Sequence, residues 1–181
     1  MAAVACAIVV ALVTLAGCAA APAPAPTTVT PTTAPVFASD EEALAAATEA
    51  YANYLKAHDT FWADDESSPD EFLGLSTGSA REGDAATIDE WKAEGWRAVG
   101  VTTFDSIRLQ RSETTDGVYQ IGTYLCLDVS KGDVLDAKGT SVAKLDRPLR
   151  LPLEVEFEAT TATPTELKIS RSEVWSGENF C

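Results

Sequence analysis

An α+β domain, with helices gathered on the N-terminal side and packed on one face of a curved antiparallel sheet, is the fold this sequence predicts. Three observations carry that expectation. Apolar residues recur at three- and four-residue spacing from residue 40 to residue 95, the period then drops to two, and turn-forming clusters cut the second region into strand-length pieces.

The first element is a leader. Met1 to Thr14 is apolar, with Ala7-Ile8-Val9-Val10-Ala11-Leu12-Val13 as its core, and it runs into Leu15-Ala16-Gly17-Cys18. Small residues before a cysteine at the end of a short apolar run resemble the bacterial lipobox. The resemblance implies that residues 1–17 are a removed lipoprotein signal peptide. Cys18, acylated by palmitate-type chains, then becomes the N-terminus and a lipid anchor on the extracytoplasmic face of the cell membrane. Two or more chains anchor stably where one binds only reversibly. A cleaved signal without lipid and an uncleaved membrane helix are the alternatives. The helix is the weaker of these, because the alanine-diluted run meets Gly17 and Pro22 at about the minimum length for a bilayer.

Residues 18–39 read as a linker rich in Ala, Pro and Thr. Proline fixes φ and removes a donor, which favours extended polyproline II over a packed element. At about 3.1 Å per residue this segment could hold a domain up to ~60 Å from a membrane. Its threonines suit O-glycosylation.

The folded domain is expected over 40–181. Ser39 with Glu42, Ser68 with Glu71 and Thr87 with Glu90 each match a capping box and predict three helix starts. Pro69 is expected at the first helical position of the second. In the first helix, Leu44, Ala47, Tyr51, Tyr54, Leu55, His58 and Trp62 form an apolar, aromatic stripe. The run Asp64-Asp65-Glu66 lacks the glycine and ligand spacing of a calcium loop and reads as a solvated connection. A short second helix carries Phe72, Leu73 and Leu75 and ends near Gly78. A third carries Ile88 and Trp91 and stops at Gly95.

After Gly95 come strands. Ala98–Arg111 leads through the turn cluster Ser112–Gly117 into Val118–Val129, with Ile121, Leu125, Leu127 and Val129 on one face and Tyr124 and Cys126 on the other. A shorter hairpin is expected around Asp136-Ala137-Lys138-Gly139. Leu149, Leu151, Leu153, Val155 and Phe157 alternate with Arg150, Glu154, Glu156 and Glu158, so one face is buried and one wet. A turn near Thr163-Pro164 leads to a last strand through Leu167, Ile169 and Val174 to Trp175.

The formal net charge is −15, and no Asp, Glu, Lys or Arg precedes Asp40. Such acidity disfavours nucleic acid and anionic headgroups as partners. Of four cysteines, Cys6 leaves with the leader and Cys18 takes lipid, so Cys126 and Cys181 remain. Two exported thiols most simply form a disulfide. A metal site is the alternative, although two cysteines with the chain's one histidine make a poor zinc set. No metal ligand set and no cofactor are expected.

The helical first third, Gly122-Thr123-Tyr124-Leu125-Cys126-Leu127-Asp128-Val129-Ser130 entering Val134-Leu135-Asp136 with Gly139, the strand after Arg147-Pro148, and the closing Trp175 and Cys181 together resemble the NTF2-like, SnoaL-like cone domains, among them small secreted lipoproteins of actinobacteria. The likeness implies a sheet wrapped around the long helix, a pocket at the open end, and a cystine joining the second strand to the C-terminus. Fold alone selects no activity. One reading is a non-catalytic envelope module binding a protein, a glycan or a small apolar ligand. The alternative is an enzyme of the SnoaL or ketosteroid-isomerase type acting on a small apolar substrate, with a carboxylate base in an apolar pocket. Tyr51, Tyr54, His58, Trp62, Phe104, Asp105 and Tyr124 are the candidate pocket residues. None is assigned a catalytic role, since a histidine among aromatics or an aspartate at a bulge is also ordinary structure. Convergence of His58 and Asp105 in an open cavity would favour the enzyme.

Overall fold

The computed structural model describes residues 36–64, 67–160, 163 and 166–181. The leader, Cys18, the linker up to residue 35, and Asp65, Glu66 and Pro164 lie outside the described residues. The elements are α1 (Asp40–Ala63), α2 (Asp70–Leu73), α3 (Gly78–Glu94), β1 (Arg97–Thr115), β2 (Val118–Leu135), β3 (Arg150–Thr160) and β4 (Lys168–Val174). The four strands form one antiparallel sheet in the order β1-β2-β3-β4. The expected α+β class is the one observed, with helices packed on one face of the sheet.

The start of α1 follows its sequence signal. Ser39 Oγ accepts from the Glu42 N–H at 3.3 Å, while Glu42 Oε2 accepts from the Ala38 N–H at 2.7 Å. The box therefore closes one residue further back than the usual pairing. Val36 and Phe37, read as the end of the linker, instead pack against the core, with the Phe37 and Tyr119 rings 5.2 Å apart. Once proline gives way to two large apolar residues, burial on the sheet outweighs an extended, solvated path.

The other two helix starts differ from expectation. Ser68 Oγ accepts from the Asp70 N–H at 3.2 Å, and Pro69 is the N-cap of α2 rather than its first residue. Thr87 caps nothing, because it lies in the interior of α3, which begins nine residues earlier at Gly78. The stretch from Gly78 to Thr87 has little apolar periodicity. It is helical because tertiary contacts hold it: Ala80 is buried in the core, the Arg81 guanidinium donates to the Leu73 carbonyl, and the Thr77 N–H donates to the Ile169 carbonyl at 2.8 Å. Its C-terminus follows the sequence. Gly95 takes φ +68°, and the N–H groups of Gly95 and Trp96 close on the carbonyls of Lys92 and Trp91.

The core lies between α1 and the inner face of β2 and β3. Ala43, Ala47, Tyr51 and Leu55 of α1 meet Tyr119, Ile121, Leu125, Leu153, Val155 and Phe157. The β1–β2 hairpin turns at Asp116-Gly117, with strand structure running on through Thr115 where a six-residue turn was expected. β2 continues past Val129 to Leu135, and the short second hairpin reduces to a turn closed by a single Leu135–Ser141 bridge. Leu149, counted with the buried face, lies just outside β3 and is half exposed.

The outer face of β2 is covered as well. Tyr124 packs against Trp175 and Phe180 at ring separations of 4.9 and 5.8 Å, and fully buried Cys126 is bonded to Cys181 across a Cα–Cα distance of 5.6 Å. A bridge between positions 55 residues apart contributes about 4 kcal/mol in the chain-entropy model.

The two serine or threonine signals should separate experimentally. Ser39→Ala is expected to lower stability by about 1 kcal/mol through loss of a working cap, while Thr87→Ala, mid-helix, leaves it unchanged or raises it by a few tenths. Urea denaturation of the two variants reads the difference, and an equal loss in both would contradict the assigned helix start.

Candidate functional site

A cavity of about 690 Å³ opens between the C-terminal half of α1 and the β1–β2 end of the sheet. The 3.6-residue repeat of α1 brings Tyr51, Tyr54, Leu55, His58 and Trp62 to one side, where Trp91 of α3 and Trp96 join them. Across the cavity stand aliphatic side chains, chiefly Val99, Leu127, Val129, Val134 and Val142. The Trp62 and Trp91 rings meet at 5.3 Å. Between the β1 and β2 backbones the floor is formed by Gly100 and Gly132, which are register partners. A Cβ on Gly100, at φ +90°, would stand 2.1 Å from the Lys131 carbonyl oxygen, so this close approach requires glycine.

Polar groups enter at few points. His58 Nδ1 lies 3.1 Å from Asp59 Oδ1, and Asp59 Oδ2 accepts from the Thr102 N–H at 3.2 Å, tying α1 to β1. Arg97, Asp133, Arg147 and Ser172 are the other polar residues of the lining. Behind the aromatic wall, Tyr54 O–H donates to Asp84 Oδ1 at 2.8 Å and Ser76 O–H donates to Asp84 Oδ2 at 2.9 Å. Burial pushes the Asp84 carboxyl above its ordinary range, outweighing the two hydroxyl donors that favour the anion. Burial also raises the Tyr51 and Tyr54 phenols, with the Asp84 charge acting in the same direction. Among the described residues, no buried side-chain nitrogen or oxygen lacks a hydrogen-bond partner.

Of the seven pocket residues expected from sequence, Tyr51, Tyr54, His58 and Trp62 line the cavity and three do not. Phe104 faces inward but packs edge-on against Tyr51 at 4.9 Å, within the core rather than on the cavity wall. Asp105 pairs in register with Cys126 at a bulge, is exposed, and receives Arg150 Nη2 at 2.8 and 2.9 Å. That hydrogen bond holds its carboxyl below the usual carboxylate range. Tyr124 belongs to the outer face, under Trp175 and Phe180. His58 and Asp105 therefore lie on opposite sides of the sheet and form no acid–base pair. The strand alternation that marks Asp105 as unusual is bulged there, with Ser106 at φ +55°, so its polarity reports the outer face.

Sequence reasoning missed Asp84, Trp96, Arg97 and Arg147. A signal existed for the first: Ala80, Asp84 and Ile88 recur at four-residue spacing, and the flanking pair is buried. Arg147 had none, because it enters from an irregular loop.

No family model matches the sequence, and no curated protein matches it. Several solved structures share its path remotely. The intermembrane-space region of chloroplast protein ARC6 is 10% identical with a TM-score of 0.47, covering 74% of this chain and 97% of that one. Aln2 from a Streptomyces species is 15% identical with a TM-score of 0.39, covering 74% and 89%. The periplasmic domain of DotI is 15% identical with a TM-score of 0.40, covering 78% and 98%.

The raised carboxyl of Asp84 gives a pH signature. A carboxyl whose folded pKa exceeds its unfolded one stabilises the fold fully below the unfolded value, and that contribution is lost as pH rises through the folded value. The stability of the native protein relative to Asp84→Asn should therefore increase as pH falls from 7 towards the ordinary aspartate range. Denaturation midpoints across that window measure it, and a difference that is flat or shrinks on acidification would refute the buried-carboxyl assignment.

Proposed function

We propose that this chain is an extracytoplasmic lipoprotein, tethered to the cell membrane through Cys18, whose NTF2-like, SnoaL-like domain is a non-catalytic binding module for a small apolar ligand. The cavity carries the reading: about 690 Å³, indole and phenol rings on one side, aliphatic residues on the other, and few polar groups, which is the composition of small-molecule sites. A glycan or protein partner fits less well, since a concave apolar wall offers little to a hydroxyl-rich surface or a flat one. Against the enzyme alternative stands the separation of His58 from Asp105. Among the described residues, Asp84 behind the aromatic wall has both oxygens engaged by Tyr54 and Ser76, and Asp59 in the lining has both engaged by His58 and the Thr102 N–H.

Export is supported by the Leu15-Ala16-Gly17-Cys18 motif and by a cystine of the sort that persists in oxidising compartments. No helix among the described residues is long and apolar enough to cross a membrane.

Two experiments test the two halves of the proposal. Three of the four tryptophans, Trp62, Trp91 and Trp96, line the cavity. Titration with the neutral dye N-phenyl-1-naphthylamine should therefore quench intrinsic fluorescence saturably, and Val129→Phe, which fills the cavity, should weaken binding at least roughly tenfold while the fold is retained. Absence of saturable quenching would remove the binding reading. Separately, Cys18→Ser is expected to move the protein from the envelope to the soluble fraction, and unchanged partitioning would remove the lipid anchor.

A further inference from the structure

Charge is distributed unevenly between the two faces of the sheet. On the outer face, Arg111 and Arg171 lie 2.6 and 2.7 Å from Glu156, and Arg150 lies 2.8 Å from Asp105. At the cavity the pattern inverts. Among the described residues the Arg97 side chain forms no ion pair and no hydrogen bond, and Arg147 has no carboxylate within ion-pair distance. Arg147 is nonetheless fixed: it donates to the Gly132 carbonyl at 2.7 Å and to the Val129 carbonyl at 3.4 Å, which holds the guanidinium against the cavity end of β2. A guanidinium carries five N–H donors, so several of Arg147's remain unmatched.

The two carboxylates of the lining are engaged by the protein. Asp59 takes His58 and the Thr102 N–H, and Asp133 takes the Val134 N–H and the Ser141 hydroxyl on one oxygen, both at 2.8 Å. Asp133 keeps its second oxygen outside these bonds and feels the Arg147 charge from beyond ion-pair distance, so among the described residues the guanidinium donors are the less occupied groups of the lining. In a chain of net charge −15, whose long-range field repels anions, guanidinium groups that form no ion pair among the described residues, set beside an apolar cavity, are a local exception. A planar fork of donors fits a carboxylate in two-point contact, and the indoles accommodate an apolar body.

We propose that the ligand is an apolar small molecule bearing a single carboxylate, its body between Trp62, Trp91 and Leu127 and its acid group on Arg147 and Arg97. This rests on the cavity being a binding site, and the experiment separates the two ideas. The probes are 1-pyrenebutyric acid and its primary amide, which share shape and apolar area and differ in charge. Energy transfer from the cavity tryptophans reports binding of either. The acid should bind roughly tenfold tighter than the amide. Arg97→Gln, which breaks no side-chain hydrogen bond or ion pair among the described residues, and Arg147→Gln are made separately, with Arg108→Gln, on β1 and outside the cavity, as the charge control.

Loss of at least threefold of the preference in either folded cavity variant, with Arg108→Gln unaffected, supports the proposal. A wild-type preference below threefold overturns it, as does a preference that persists in every folded cavity variant or falls equally in Arg108→Gln. If acid and amide bind alike, the cavity reading survives and the acid recognition fails. If neither probe nor the neutral naphthylamine binds, both fail together.

Discussion

The seating of α1 on the inner face of β2 and β3 is the contact on which the rest depends. Its N-terminal half presents alanine to the sheet: Ala43 and Ala47 are fully buried, so the helix backbone can approach closely. Its C-terminal half presents Tyr51, Leu55 and Trp62, residues several times larger. Small side chains allow close approach to a sheet, and large ones take more room. The cavity lies beside the large-residue end of α1, where its lining begins at Tyr51 and runs to Ala63. The aromatic stripe and the cavity are thus two descriptions of one sequence pattern.

β2 is the strand that this arrangement loads from both sides. Ile121, Thr123 and Leu125 face the helices, while Gly122 and Cys126 are buried on the other face beneath an Arg111 side chain and the C-terminal tail. A strand covered on one face only would show strict polar alternation; this one departs from it because the tail from Trp175 to Cys181 returns across it. The Trp175 N–H donates to the Pro152 carbonyl at 2.8 Å, so the tail starts as an extension of the β3–β4 pairing. Beyond it, the outer face carries the ionic ladder of Glu154, Glu156, Arg171 and Glu173. Partly exposed pairs of this kind contribute little each, and their role is to keep a long edge soluble rather than to hold the fold.

How much was legible beforehand follows from which forces act locally. Periodicity found α1 and all four strands, because side-chain burial on a helix or strand imposes its own repeat. The cap at Ser39 and the stop at Gly95 were readable for the same reason: each satisfies backbone groups within a few residues. Thr87 misled because its motif is correct locally and irrelevant once Ala80, Arg81 and Asp84 bind elsewhere in the fold. Asp105 and Tyr124 misled because an alternation of period two says that two faces exist and not which one borders the cavity. Arg147 could not be read at all, since its position depends on a loop folding back on β2 carbonyls.

The bare floor between β1 and β2 carries one more implication. Gly100 admits no other residue there, but a methyl group on its partner Gly132 would meet only ordinary contacts, the nearest being the Val129 carbonyl oxygen at 3.6 Å. One half of the pair is therefore locked by geometry while the other is free to vary. A single codon at position 132 can thus add bulk beside this cavity while the backbone approach that Gly100 permits stays in place.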